Sequence, residues 1–224
     1  VVDLETLFSN PNLASPTRHI LAFNNGKPID SLYAISSPRI TPITDFQTAE
    51  NIKRYNHTDH FGSIVRWQEP IDVQVYALSA GNPQLFLDSV KKTLEYGNSK
   101  IGLTFILSEI TSLDDYKIPG ILVKVDSTIG ACGLATGGEG YINNRKKTTT
   151  VKVHQDCAYN QGTLRHEILW HASMAAIPHP PWGGIGSGYS TEFVQQEIDY
   201  GRTLRTRAFG ALPKLQEGIW EVVR

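Results

Sequence analysis

Strand-like and helix-like patterns alternate along the chain from residue 65 onward, and their order limits the folds that the chain can adopt. The segment 71–76 (IDVQVY) alternates apolar and polar side chains, which is typical of a strand with one buried face. Asn82 and Pro83 then supply the N-cap and first residue of a helix, and apolar residues follow at helical spacing. Gly97 stands where a helix commonly ends, so we expect this helix to stop there.

More strand-like and helical stretches follow in the same half of the chain. The strand-like ones cover residues 103–110, 121–126 and 148–154, and the helical ones cover 163–176 and about 190–208. The Gly-rich stretch 130–140 is expected to be a loop or an irregular sheet edge. The simplest assembly is α+β: a mixed β-sheet with a helix packed on it, a second helix and a C-terminal helix.

Residues 1–62 have a different character from the rest of the chain. Pro, Asn, Ser and Thr recur there with little periodicity, which indicates an extended and turn-rich segment with one short helix possible near residues 45–55. We therefore expect two parts. Residues 1–62 form an N-terminal extended wrap or small subdomain, and residues 63–224 form the main domain.

The overall charge is nearly balanced, which excludes some classes of function. The 224 residues carry a formal net charge of -1, and this argues against a broadly basic surface for nucleic acid. No apolar run approaches the ~18 residues of a membrane span. We therefore expect no nucleic-acid partner and no membrane span.

The chain has two cysteines, Cys132 and Cys157, whose spacing is not that of a C-x-x-C redox or zinc pair. Two buried free thiols or one disulfide are both compatible with the sequence. We favour the disulfide because the two residues flank what reads as one strand pair. A disulfide is typical of an oxidising compartment, so we expect a secreted or periplasmic protein.

Three of the seven histidines lie in one short segment, residues 164–179 (LRHEILWHASMAAIPH). Imidazole is a common zinc ligand, and a catalytic zinc ion typically keeps three protein ligands. His166, His171 and His179 are therefore candidate metal ligands. Glu167 follows the first histidine, where a general base could deprotonate a water molecule.

Residues 65–208 resemble a metzincin-type zinc metallopeptidase, and uncharacterised bacterial secreted domains share the layout. The family motif is H-E-x-x-H-x-x-G-x-x-H, followed by a Met-turn and a final helix. The resemblance implies that residues 63–224 are a metzincin-like catalytic domain that uses Zn²⁺. His166, His171 and His179 match the ligands, and Glu167 matches the base. The loop 183–189 stands at the Met-turn, where Tyr189 matches a tyrosine that stabilises the oxyanion in some members.

The sequence departs from this motif in its spacing. It reads H-E-x-x-x-H, with Trp170 at the expected position of the second histidine and His171 one residue later. Residues five apart on a regular α-helix differ in direction by about 140°. The turn glycine is absent, and the only methionine, Met174, lies outside the Met-turn.

Three interpretations remain open at this stage. A π-bulge could absorb one inserted residue and return His166 and His171 to the same face. Alternatively, Glu167 and His171 are the ligands, because they are four residues apart and share a face of a regular helix. In the third interpretation the site is lost, and the domain is a catalytically silent, secreted binding module.

Other candidates carry weaker signals. His57, Asp59 and His60 could bind a metal but are typical of a polar turn, and His154 could line a cleft or lie exposed on a strand. The favoured function is metal-dependent hydrolysis of a peptide or protein substrate by a monomer. The substrate could add as a strand along the segment 132–138 (CGLATGG).

Overall fold

The structure is a computed structural model, and some segments of the chain are left out of its description. The described residues are 19–21, 23–24, 27–28, 39–42, 66–137, 141–142, 145–146, 148–176, 179–188, 190–206 and 219–223. Within the first 62 residues, four short strands are described: β1 (His19–Leu21), β2 (Phe23–Asn24), β3 (Lys27–Pro28) and β4 (Arg39–Pro42).

Residues 63–224 contain the other described strands and the α- and π-helices. They are β5 (Ile71–Tyr76), α1 (Pro83–Ile101), β6 (Phe105–Glu109), β7 (Gly120–Val125), β8 (Gly133–Gly137), β9 (Tyr141–Ile142), β10 (Arg145–Lys146), β11 (Thr148–Val153), α2 (Gln161–Leu164), a π-helix (Arg165–Ser173), α3 (Gln195–Thr206) and β12 (Ile219–Val223). The π-helix continues α2 without a break, and the two together are called the site helix below. None of the described helices is long and apolar enough to cross a membrane.

Five strands form one mixed sheet in the order β6-β5-β7-β11-β8. The first four strands are parallel, and β8 pairs with β11 in the antiparallel direction at the edge. The predicted fold class, a mixed sheet with helices packed on it, is confirmed. Elsewhere, β12 lies between β1 and β4, while β2 pairs with β3 and β9 with β10, all antiparallel.

The core lies between one face of this sheet and the helices. Alternate residues of the central strands point into it, as the pattern in residues 71–76 predicts, and Val73 and Val75 are completely buried. Phe86 from α1 and Leu169 from the site helix are completely buried in the same cluster. The site helix is thereby fixed against the sheet.

Helix α1 begins as predicted but ends later. The side chain of Asn82 accepts a hydrogen bond from the Leu85 N–H, and Pro83 is the first helical residue. The helix does not end at Gly97 but continues to Ile101, and Gly102 follows in the left-handed conformation. Gly97 is instead buried against the site helix, where Leu169 approaches it closely.

The Gly-rich stretch takes the second of its two expected forms, a sheet edge, whereas the final helix differs from expectation. Residues 133–137 form the edge strand β8 because their backbone pairs with β11. Helix α3 begins at Gln195 instead of residue 190 or 191. The Ser190 hydroxyl accepts the Glu192 N–H in a local turn, and the Glu197 carboxylate accepts the Val194 N–H where the helix starts.

Cys132 and Cys157 form a disulfide, as predicted. The bond joins the residue before β8 to the short 3-10 turn Gln155–Cys157, which follows β11. His154 at the end of β11 donates its N–H to the carbonyl of Cys132. The edge strand is therefore attached to the segment that leads into the site helix.

Candidate metal centre

His166 and His171 of the site helix come together with His179, which follows the helix in the chain. Each offers one ring nitrogen, and these three atoms all lie within 4.8 Å of one another. The Nε2 atoms of His166 and His171 are 3.0 Å apart. The histidines are respectively buried, half-buried and exposed, so the group opens towards solvent on the side of His179. The three candidates therefore lie close enough to bind one metal ion.

A π-helical segment brings His166 and His171 to the same side. From Arg165 to Ser173 the helix has the wider π turn, whose backbone bonds join residues five apart. At its end, the N–H of Met174 donates to the carbonyl of Leu169, which is five residues earlier. This is the geometry that the first interpretation of the H-E-x-x-x-H spacing requires.

The same wider turn directs Trp170 into the core. Its indole is completely buried, and its ring centroid lies 5.3 Å from that of Tyr200 and 6.3 Å from that of Trp182. A residue adjacent to His171 in sequence thus faces the opposite way. In the sequence, Trp170 stands where the motif has its second histidine. In the structure its side chain lies in the core, and His171 is the residue beside His166.

Backbone carbonyls orient two of the histidine rings. The Nδ1 of His166 lies 2.6 Å from the carbonyl oxygen of Ile185, and the Nδ1 of His171 lies 2.6 Å from that of Ala176. A carbonyl oxygen only accepts, so each Nδ1 must carry the proton. In the neutral rings, each Nε2 then keeps its lone pair for a ligand bond.

The two Nε2 atoms suit a shared cation. Two lone pairs 3.0 Å apart repel each other unless a proton or a metal ion accepts them. Burial lowers the pKa of His166; the hydrogen bond to Ile185 opposes this effect, and the charge of His179 adds to it. An all-imidazole donor set is one that zinc, copper, iron and nickel ions favour. The residues present therefore fit a transition-metal ion.

The turn after the site helix is made by an alanine. The turn glycine of the metzincin motif is absent from the sequence, and Ala175 adopts a positive φ of 54°. This left-handed conformation reverses the chain and lets the Ala176 carbonyl reach His171. An L-residue pays a cost in this region, typically ~1–2 kcal/mol.

Glu167 lies beside the three histidines. Its Oε1 is 4.0 Å from the Nε2 of His166, and the side chain is buried next to β8. Burial raises the pKa of Glu167 to about 7, although a backbone hydrogen bond from Ala135 opposes the shift. A carboxyl group of this kind can hold or release a proton near neutral pH.

The remaining sequence candidates are placed differently. His154 is outside the group: its Nδ1 accepts the Asp156 N–H and caps the short turn Gln155–Cys157. Tyr189, His57, Asp59 and His60 lie outside the described residues.

Sequence reasoning missed the groups that orient the candidate histidines. The carbonyls of Ile185 and Ala176 are backbone atoms, which every residue has, so no residue type could identify them. Glu197 was also missed, although its carboxylate accepts the N–H groups of Ile185 and Gly186. The closely spaced glycines 183, 184, 186 and 188 were the available signal, because they allow close packing around that loop.

Comparison with known proteins adds no family to this description: no protein-family model and no curated protein matches the chain.

Proposed function

We propose that this chain is a zinc-dependent metallopeptidase in which His166, His171 and His179 hold Zn²⁺ and Glu167 is the general base. The observation that carries the proposal is the placement of a buried carboxylate 4.0 Å from a histidine whose Nε2 belongs to the three-histidine group. Bound zinc would supply a Lewis acid that polarises a carbonyl and lowers the pKa of water towards ~7.

Glu167 has the position and the proton affinity that a base requires. With a pKa of about 7, its carboxylate can take a proton from water at Oε1 and return it to the leaving amine. His166 and His171 cannot serve in this way, because their Nδ1 atoms donate to carbonyls and their Nε2 atoms face the proposed ion. Tyr189 remains a candidate donor to the oxyanion.

The peptide substrate would lie along β8. This strand is at the end of the five-stranded sheet and packs beside the π-helix that carries Glu167. An extended peptide could pair with the edge of β8 on which no described strand lies, and present a scissile carbonyl near the histidines. Half-exposed Leu134 on this strand offers an apolar contact to such a peptide. Secretion remains an expectation, with which the disulfide is compatible.

The experiment combines metal analysis with peptide hydrolysis. Protein purified without chelators should contain about one zinc ion per chain. Glu167→Gln should retain zinc and lose ~10²–10⁴-fold in hydrolysis of a mixed peptide substrate, because only the base is removed. His171→Ala should lose both zinc and activity.

His154→Ala is the matched control, because it removes a histidine outside the group. It should keep zinc and activity. A chain that retains no zinc when the metal is supplied, or a Glu167→Gln variant with full activity, would contradict the proposal. Zinc binding without hydrolysis of any peptide would favour the silent binding module.

A further inference from the structure

A short loop beneath His166 is held by one buried carboxylate. Glu197 of α3 is completely buried. Its Oε1 accepts the N–H of Gly186 at 2.6 Å, and its Oε2 accepts those of Ile185 and Val194, each at 3.1 Å. Three backbone donors therefore converge on one side chain, and two of them belong to the loop.

Two glycines make room for this carboxylate. A Cβ atom at Gly184 would overlap the Glu197 carboxylate, and one at Gly186 would lie 2.8 Å from Oε1 and 2.7 Å from the Trp170 ring. The loop thus lies directly on Glu197 and Trp170, closer than any residue with a side chain allows. This contact accounts for glycine at positions 184 and 186, which the proposed function alone leaves unexplained.

The loop in turn orients a candidate ligand. Ile185 donates its N–H to Glu197 and points its carbonyl at the Nδ1 of His166, 2.6 Å away. The Ile185 backbone therefore joins the carboxylate to the imidazole. Hydrogen bonds of this kind to ligand histidines fix the tautomer and the ring orientation.

We propose that Glu197 is a positioning residue for the metal centre: through the loop 184–188 it holds the Ile185 carbonyl that orients His166. The inference rests on the proposed function only in taking zinc as the ion. The orientation of the His166 ring does not depend on it. The three hydrogen bonds that Glu197 accepts all come from backbone N–H groups. Glu197 acts through Ile185 and determines which nitrogen of His166 is available to a ligand.

A purely structural role predicts a different outcome. Glu197 also accepts the Val194 N–H at the start of α3, so its loss destabilises that helix whatever happens at the site. Glu197→Gln keeps the side-chain volume but replaces one acceptor oxygen with a donor amide, which opposes a backbone N–H. Leu204→Ala is the matched control, because Leu204 is buried on the same helix without a hydrogen bond to the loop.

The test measures zinc affinity by chelator competition and the His166 tautomer by ¹⁵N NMR in metal-free protein. Glu197→Gln should weaken zinc binding by about tenfold or more and give a mixed tautomer at His166. Glu197→Asp, which keeps the charge, should restore part of the affinity. Leu204→Ala should lower the melting temperature but leave the affinity and the tautomer unchanged.

Glu197→Gln with wild-type zinc affinity and wild-type tautomer would overturn the inference. Equal loss of affinity in Leu204→Ala would also overturn it, because general destabilisation would then explain the effect. If wild-type protein binds no zinc, the proposed function fails separately. The tautomer of His166 in the metal-free variants then still decides whether Glu197 positions the ring.

Discussion

Helix α1 and the site helix pack side by side against the sheet, but they distribute their residues in different ways. Helix α1 is regular over 19 residues, and its buried positions recur at α-helical spacing. The site helix changes to π bonding after four residues, and seven of the nine residues in its π segment are buried. The difference teaches that a local change of helical period can place neighbouring residues in separate environments.

Trp170 and His171 make this separation concrete. Trp170 is in the core and His171 belongs to the three-histidine group, although they are adjacent in sequence. In α1, whether a residue faces the core or the surface follows from the regular α-helical period alone. The π segment therefore serves packing and ligand placement at once.

Removing a buried aromatic ring from each helix is the strongest test of this comparison. Trp170→Ala and Phe86→Ala each remove a completely buried side chain and should each cost about 3–5 kcal/mol in the free energy of unfolding. Only Trp170→Ala should also weaken zinc binding, because Trp170 supports the loop at Gly186. Urea denaturation followed by circular dichroism measures stability, and chelator competition measures affinity.

The comparison fails if Phe86→Ala weakens zinc binding as much as Trp170→Ala does. Should either alanine variant not fold, Trp170→Phe and Phe86→Leu offer the same contrast with smaller cavities.

Exchanging glycine and alanine at the ends of the two helices should change the stability of the protein in opposite directions. Helix α1 is followed by Gly102 at φ 76°, and the site helix is followed by Ala175 at φ 54°. Gly102→Ala should lower the free energy of unfolding by ~1–2 kcal/mol, because it forces an L-residue into the left-handed region. Ala175→Gly should gain less than ~1 kcal/mol, because relief of strain is offset by greater freedom of the unfolded chain. Thermal and urea unfolding of both variants measure the two changes in stability. Changes of the same sign would contradict the explanation by backbone strain.

Removal of the N-cap side chain should destabilise the two helices by similar amounts. The Asn82 side chain accepts the N–H of Leu85, and the Asn160 side chain accepts that of Thr163 in the same way. Each asparagine-to-alanine change should therefore lower the free energy of unfolding, measured by urea denaturation, by about 1 kcal/mol. A much smaller cost at Asn160 would show that the π segment, and not the cap, determines where the site helix begins.

The smallest effect concerns the carboxylate that supports the end of α1. Arg205 donates to the carbonyl of Ile101, the last residue of α1, and is paired with Glu69. Burial tends to raise the pKa of Glu69, but hydrogen bonds from Arg205 and Thr104 outweigh it and hold the pKa below its usual value. Ionised Glu69 therefore contributes stability above a pH of about 4.5, and the contribution is lost as the pH falls through the lowered pKa.

Glu69→Gln measures that contribution. The variant should be less stable than wild type at neutral pH by up to about 1 kcal/mol, since the pair is partly exposed. The difference between the two proteins should shrink as the pH falls below 4.5, because wild-type Glu69 becomes protonated. A difference that stays constant with pH would show that charge is not involved.

Local patterns predicted the parts of the fold that obey a single period. Alternation in residues 71–76 identified β5, and Asn82 with Pro83 identified the start of α1. The end of α1 was predicted wrongly because Gly97 serves the contact with Leu169, a tertiary cause that local pattern does not contain. The Gly-rich stretch left a loop and a sheet edge both open, because β8 is determined by its pairing with β11 more than by its own residues.

The candidate site was predictable in its residue types but not in its geometry. Three histidines and a glutamate in one segment suggested a metal site from their chemistry alone. Their convergence depends on the π turn, in which Trp170 is completely buried. Since a regular helix separates residues five apart, the sequence left three interpretations open.

The packing of Gly184 and Gly186 on Glu197 has a consequence for how this protein can change in evolution. A side chain at either glycine would occupy the space of the carboxylate, and loss of the carboxylate would leave loop N–H groups without their acceptor. The three positions should therefore be inherited together. Distant relatives should be recognisable by H-E-x-x-x-H followed by G-x-G and a later glutamate, where a search for a Met-turn would overlook them.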